Sequence, residues 1–148
     1  MIVRMETIIG VVVIIYRKTL QGSPEFLLLK HKNAFWTFAG GKVENSDKSV
    51  ISGLQREMFE ELGLKESEYK LIDTGIANEF IYGNEKVDRA GKKGKTHYYL
   101  GTLIQSALPR CLAEIQEIKW LSKHEILEHL AFEDIKLKFL EVCKKLKI

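Results

Sequence analysis

The sequence is short of the features that mark exported, membrane-bound or metal-stapled chains. It holds two cysteines, Cys111 and Cys143. They lie far apart in apolar surroundings without a Cys-x-x-Cys or Cys/His spacing, so buried reduced thiols are expected rather than a bridge or a zinc site. The longest apolar run, Ile8 to Tyr16, is broken by Gly10, is too short to span a bilayer, and lacks the small-residue cleavage site of a signal peptide. Export and membrane insertion are therefore not expected, and a reducing cytoplasm is the expected setting. An excess of charge is missing too: 23 Lys and Arg against 20 Asp and Glu leave +3, too little to announce a nucleic-acid partner. No repeat, low-complexity tract or linker interrupts the chain, so residues 1–148 read as one domain. The 45% hydrophobic content can supply its core without a staple.

What is present begins with strands. Ile8 to Arg17 is almost continuously β-branched, Phe26 to Lys30 is a second apolar run, and Gln21-Gly22-Ser23-Pro24 between them has turn chemistry, which predicts a hairpin. Phe35-Trp36-Thr37-Phe38 forms a short aromatic strand running into Ala39-Gly40-Gly41, where two glycines permit backbone shapes closed to other residues. Asn45-Ser46-Asp47 offers helix N-caps. From about Lys48 to Leu62, apolar residues recur at helical spacing (Val50, Ile51, Leu54, Met58, Leu62), and Gly63-Leu64 supplies the stop. Further strands are predicted over Lys70–Phe80, His97–Ile104 and Ile115–Trp120, with a Gly- and Lys-rich loop from Gly83 to Lys95. Ser122-Lys123-His124-Glu125 is a capping box, and Ile135, Phe139, Val142 and Leu146 give the last helix one apolar face. The pattern is α/β, with a mixed sheet between helices. Sequence leaves the direction of strand pairing open.

In the central helix, Glu57, Glu60 and Glu61 fall within an arc of roughly 100°, beside the apolar stripe. Carboxylates at i, i+3 and i+4 repel one another unless a cation compensates, and hard oxygens on a rigid element suit Mg²⁺ or Mn²⁺. An isolated E-x-x-E-E is more often a solvated face balanced by neighbours such as Arg56. The surrounding sequence decides. His31 and His97 lie on predicted strands with no carboxylate at motif spacing and are read as structural.

The segment from Gly41 to Leu64, ending Arg56-Glu57-Met58-Phe59-Glu60-Glu61-Leu62-Gly63-Leu64, resembles the Nudix box, a loop-helix-loop signature of Gly, Glu, then R-E-U-x-E-E-x-G-U. The second half matches at every specified position. In the first half Arg56 comes one residue later after Gly41 than in the pattern, and the early Glu is replaced by Asp47 or Lys48, which reads as a one-residue loop insertion. Asp47 is given no catalytic role and is read as a cap of the helix. Trp36-Thr37-Phe38-Ala39-Gly40-Gly41 is similar to the strand that leads into such boxes, with Ala39 where proline is common. The resemblance implies an α/β/α sandwich and hydrolysis of a phosphoanhydride bond in a nucleoside diphosphate-linked compound. It implies that Glu57, Glu60, Glu61 and the Gly40 carbonyl hold two or three Mg²⁺, with Mn²⁺ as a substitute. It also implies that Arg56 orients the carboxylates by bidentate hydrogen bonds. Glu57 is the first choice for the base. A later-loop carboxylate is the alternative, at Glu114 or Glu117, with Glu114 favoured.

Lys95-Thr96-His97-Tyr98-Tyr99-Leu100, Glu117-Ile118-Lys119-Trp120-Leu121-Ser122 and Leu130-Ala131-Phe132-Glu133-Asp134 are similar to Nudix hydrolases acting on diadenosine tetraphosphate, although Gly40-Gly41-Lys42 departs from the Lys-Gly-His common there. That likeness implies cleavage to ATP and AMP. Lys42 and Lys95 could reach phosphates, Lys92 and Lys93 could do so too but read more simply as a solvated loop, and Tyr98 or Tyr99 could stack on a base, since alternation sends only one of the two inward. A nucleoside triphosphate pyrophosphatase, an enzyme for nucleotide sugars or RNA 5′ ends, and a binding module that does not cut are the alternatives. The intact R-E-x-x-E-E core argues against the last. Monomer and homodimer both remain open.

Overall fold

The computed structural model describes residues 7–32, 35–84 and 88–148. Its axis is β1 (Thr7–Lys18), a Val- and Ile-rich strand whose branched side chains pack well on a pleated surface. The chain turns into β2 (Pro24–His31), with Tyr16 opposite Phe26, which is the expected hairpin. β3 (Trp36–Thr37) adds to β2, and β4 (Ala39–Lys42) lies antiparallel to the first half of β1, Val12 facing Gly40. On its other edge β1 runs parallel to β6 (Lys93–Leu103), in register from Thr7 and Lys93 to Tyr16 and Thr102. β5 (Tyr69–Ile81) is antiparallel to β6, and β7 (Ile115–Leu121) is antiparallel to β2. The sheet is therefore mixed, with seven strands among the described residues.

Both faces are covered. α1 (Val50–Leu62) presses Leu54, Met58 and Leu62 onto Val11, Val13, Leu27 and Tyr99. α2 (Lys123–His129) and α3 (Glu133–Leu146) bring Ile126, Phe139 and Val142 against Ile14, Phe26, Leu28 and Tyr98 on the other face. This is the expected α/β/α sandwich, and it explains why β1 and β2 are apolar throughout rather than alternating. The capping box also forms: the Ser122 hydroxyl accepts from the Glu125 N–H and the Glu125 carboxylate accepts from the Ser122 N–H. No helix among the described residues is long and apolar enough to cross a membrane.

Four expectations change. Tyr98 and Tyr99 are 1% and 5% exposed, each sealed in a different core, so neither offers a face for stacking. Alternation did separate them, but the face opposite one core is another core. The predicted Gly83–Lys95 loop is shorter, because pairing of Ile81 with Lys93 starts β6 early and makes Lys93 and Lys95 strand residues. α1 is capped by Ser49, whose hydroxyl accepts from the Ser52 N–H, and not by Asn45, Ser46 or Asp47. Cys143 is buried as expected, whereas Cys111 is exposed.

Candidate active site

α1 sets one edge against β4, and the junction depends on Gly40. Its φ is +153°, and a Cβ there would lie 2.1 Å from the Val11 carbonyl oxygen, so only glycine lets the two strands meet. The Gly40 N–H donates to Glu61 Oε1 at 2.9 Å, which ties the strand to the end of the helix. Gly41 leaves room for a second carboxylate, since a Cβ there would fall 2.5 Å from Glu57 Oε1.

Arg56 organises the rest. Its Nε and Nη2 donate to the two oxygens of Asp47 at 3.0 Å each, Nη1 donates to Glu57 and Glu60 at 3.1 Å each, and Nη2 also donates to the Lys42 carbonyl. The expected bidentate bond thus goes to Asp47, with Glu57 and Glu60 sharing one corner of the guanidinium. Asp47 also accepts from the Glu44 N–H at 2.7 Å. Read from sequence as a helix cap, it instead closes the loop containing the extra residue and fixes Arg56.

Electrostatics sets these groups apart. Burial pushes the Glu61 carboxyl up to about 8, helped by Glu57 and Glu60 and opposed by the Gly40 N–H. Burial also raises Glu57, with Arg56 opposing, whereas the hydrogen-bonded Arg56 guanidinium holds Asp47 low. Three carboxylates, Asp47, Glu57 and Glu60, therefore share one guanidinium, and Glu61 stands beside them on the Gly40 N–H. Such an under-compensated set of hard oxygens fits Mg²⁺ or Mn²⁺ in its chemistry. Among the described residues no three side-chain donors converge as a ready-made metal site. The hydrogen bonds account for this: Arg56 holds Glu57 and Glu60, and Gly40 holds Glu61. Binding an ion requires those bonds to be exchanged.

His31, read as structural, belongs here. Its Nε2 lies 3.5 Å from Glu61 Oε2. No sequence spacing links residues 31 and 61; the sheet order alone brings the end of β2 to the end of α1. His97 lies on β6, opposite Ala77 of β5, away from this cluster. Glu114 lines a cavity of about 300 Å³ with His31, Gly40, Glu57, Glu60 and Glu61, whereas Glu117 sits on β7, 3.9 Å from Lys119. An adjoining cavity of about 390 Å³ shares His31, Gly40 and Glu114 and adds Lys32, Phe35 and Phe38. A third, of about 280 Å³, meets the second at Val12 and Gly41 and adds Lys42, Tyr82, Arg89 and Thr96. A cavity of about 420 Å³ on the outside of α1, by Phe59 and Lys65, gathers no comparable chemistry. Lys93 and Lys95 approach Glu79 at 3.7 and 3.9 Å, and alternation points Lys95 to the face opposite Thr96, away from these cavities. Of the expected substrate residues only Lys42 lines the groove; Phe35, Tyr82 and Arg89 carried no sequence signal.

The NUDIX domain family profile matches residues 6–143. Among curated proteins nothing matches. Solved structures similar to this chain include an Ap4A hydrolase of C. elegans in a binary complex, with 21% identity over 95% of each chain and a TM-score of 0.74. The E. coli dihydroneopterin triphosphate pyrophosphohydrolase is 18% identical over 90% of this chain and 92% of its own, with a TM-score of 0.74. A MutT protein from Methanosarcina mazei Go1 is 25% identical over 99% of each chain, with a TM-score of 0.71. These likenesses establish a shared fold, and the named substrates differ among them. The profile match, covering nearly the whole chain and including the Arg56–Glu61 carboxylate cluster, decides the family: the chain belongs to the Nudix family and is a hydrolase of pyrophosphate bonds.

Proposed function

We propose that the chain hydrolyses a dinucleoside polyphosphate, diadenosine tetraphosphate being the representative, to ATP and AMP. One observation carries this reading: the carboxylate cavity adjoins a second cavity at His31, Gly40 and Glu114, the second adjoins a third at Val12 and Gly41, and each of these two further cavities has an aromatic ring and a cation. Phe35 and Lys32 furnish one and Tyr82, Lys42 and Arg89 the other. A nucleoside triphosphate needs one such end, whereas a two-headed nucleotide needs both.

Glu57, Glu60, Glu61 and the Gly40 carbonyl would hold the divalent ions. When bound, these ions supply charge neutralisation at the phosphate oxygens and a more acidic water. Lys42 and Arg89 draw in the phosphate chain, and the aromatic rings fix its register, which selects the phosphorus attacked. Glu114 takes the proton of the attacking water. It is preferred over Glu57 because Glu57 is committed to the ions and because Glu114 lines both the carboxylate cavity and its neighbour. Water oxygen bonds to one phosphorus, the opposite P–O bond breaks, and the departing phosphate leaves as the second nucleotide.

The test offers diadenosine tetraphosphate and nucleoside triphosphates separately, with Mg²⁺ in ¹⁸O-labelled water. ATP and AMP in equal amounts, with label in only one of them, are expected. Pyrophosphate released from triphosphates while the tetraphosphate survives would instead identify a triphosphate pyrophosphatase.

A further inference from the structure

Glu114 sits at the tip of a tight turn that is pinned from three sides. The Ile115 N–H donates to the Leu112 carbonyl at 3.0 Å and closes the turn. The Leu112 N–H donates to the Glu61 carbonyl at 3.1 Å, and the Arg110 N–H donates to the Leu62 carbonyl at 2.9 Å, using acceptors left over at the end of α1. On the other side the Lys32 N–H donates to the Glu114 carbonyl at 2.9 Å. The segment is thus bonded to the helix that carries Glu61 and to the residue following His31.

Ala113, the first central residue of this turn, has φ +51°, one of two non-glycine residues with positive φ among those described. Positive φ at Ala113 but not at Glu114 is the pattern of a type II′ turn, which ordinarily has glycine at the first central position. An alanine held there is strained, and the four hydrogen bonds hold it in place. Strain of this kind persists only where surroundings over-determine the backbone, and here it directly precedes a carboxylate facing the cluster.

We propose that Ala113 is a positioning residue: its left-handed backbone, locked by the Leu112–Glu61 and Lys32–Glu114 hydrogen bonds, aims the Glu114 carboxylate at the attacking water over the α1 cluster. The inference rests on the reading of Glu114 as the proton acceptor. Side chains that reject positive φ reverse the turn and withdraw Glu114, whereas glycine leaves it in place.

The test measures kcat and KM for Ala113→Gly, Ala113→Val and Ala113→Pro, each with native Glu114 and with Glu114→Gln, on whichever of diadenosine tetraphosphate or ATP the protein cleaves. Ala113→Gly is expected to stay within about threefold of the parent kcat. Ala113→Val should lower kcat at least about tenfold with KM within about twofold, because the groove is untouched and only the proton acceptor moves. Ala113→Pro fixes φ near about −65°, which suits the mirror-image turn, and repeats the loss if the valine variant fails to fold. In the Glu114→Gln background neither valine nor proline should cost further rate, a non-additivity that general loosening of the loop would not produce. Full kcat in the folded valine or proline variant, or an equal loss in both backgrounds, overturns the positioning role. Full activity of Glu114→Gln alone overturns the proton-acceptor reading and the inference with it, a different result from either.

Discussion

Glu61→Gln is expected to lower kcat by about two orders of magnitude or more while making the metal-free protein more resistant to heat in alkaline solution. The first effect follows from losing a metal ligand, which removes several kcal/mol of charge stabilisation in the transition state. The second follows from burial. The Glu61 carboxyl is raised from its ordinary 4.5 to about 8, so the folded chain favours its protonated form. The cost of ionising it is absent below about pH 4.5, grows as pH rises towards 8, and is complete above that. Glutamine stays neutral throughout and can still accept the Gly40 N–H. Thermal unfolding in EDTA should therefore give similar melting temperatures for the two proteins near pH 4.5 and a higher one for the variant at pH 9, by several degrees. Near-normal turnover, or a variant that melts lower at pH 9, would remove Glu61 from its assigned place.

Gly40→Ala should be severe in the opposite sense. The new Cβ meets the carbonyl oxygen of Val11 in the central strand, an atom that cannot move without disturbing β1, and φ +153° is itself unfavourable for alanine. A destabilisation of about 3 kcal/mol or more is expected, which lowers the melting temperature by roughly 6–12 °C for a chain of this size. Activity should also be lost at temperatures where the variant is still fully folded, because moving β4 withdraws the N–H that holds Glu61. Calorimetry together with a low-temperature assay checks both parts. A melting point within about 2 °C of the parent would show that β4 is not packed as described.

What could be read in the sequence was local. The hairpin after Lys18, the 50–62 helix, the Ser122 capping box and the three glutamates on one helical arc each depend on residues a few positions apart. What could not be read depends on which strands become neighbours. His31 meets Glu61 because the sheet order juxtaposes them, and Tyr98 and Tyr99 are both lost to solvent because helices cover both faces. Asp47 looked like a cap because helix caps and arginine partners draw on the same side chains; only the path of the loop distinguishes them. Sequence narrowed the later carboxylate to Glu114 or Glu117, and the structure brings only Glu114 to the cluster. The positive φ at Ala113 was invisible because the residue that usually announces it, glycine, is absent.

The claim that the α1 carboxylates take the divalent ion is tested most directly by titrating Mn²⁺ into the metal-free protein by calorimetry at pH 7, in two buffers of different ionisation enthalpy. With Glu61 protonated up to about pH 8, binding should displace close to one proton per site, and Glu61→Gln should lose both that proton and most of the affinity. Unchanged Mn²⁺ affinity in Glu61→Gln, with no proton released by the parent, would contradict the account.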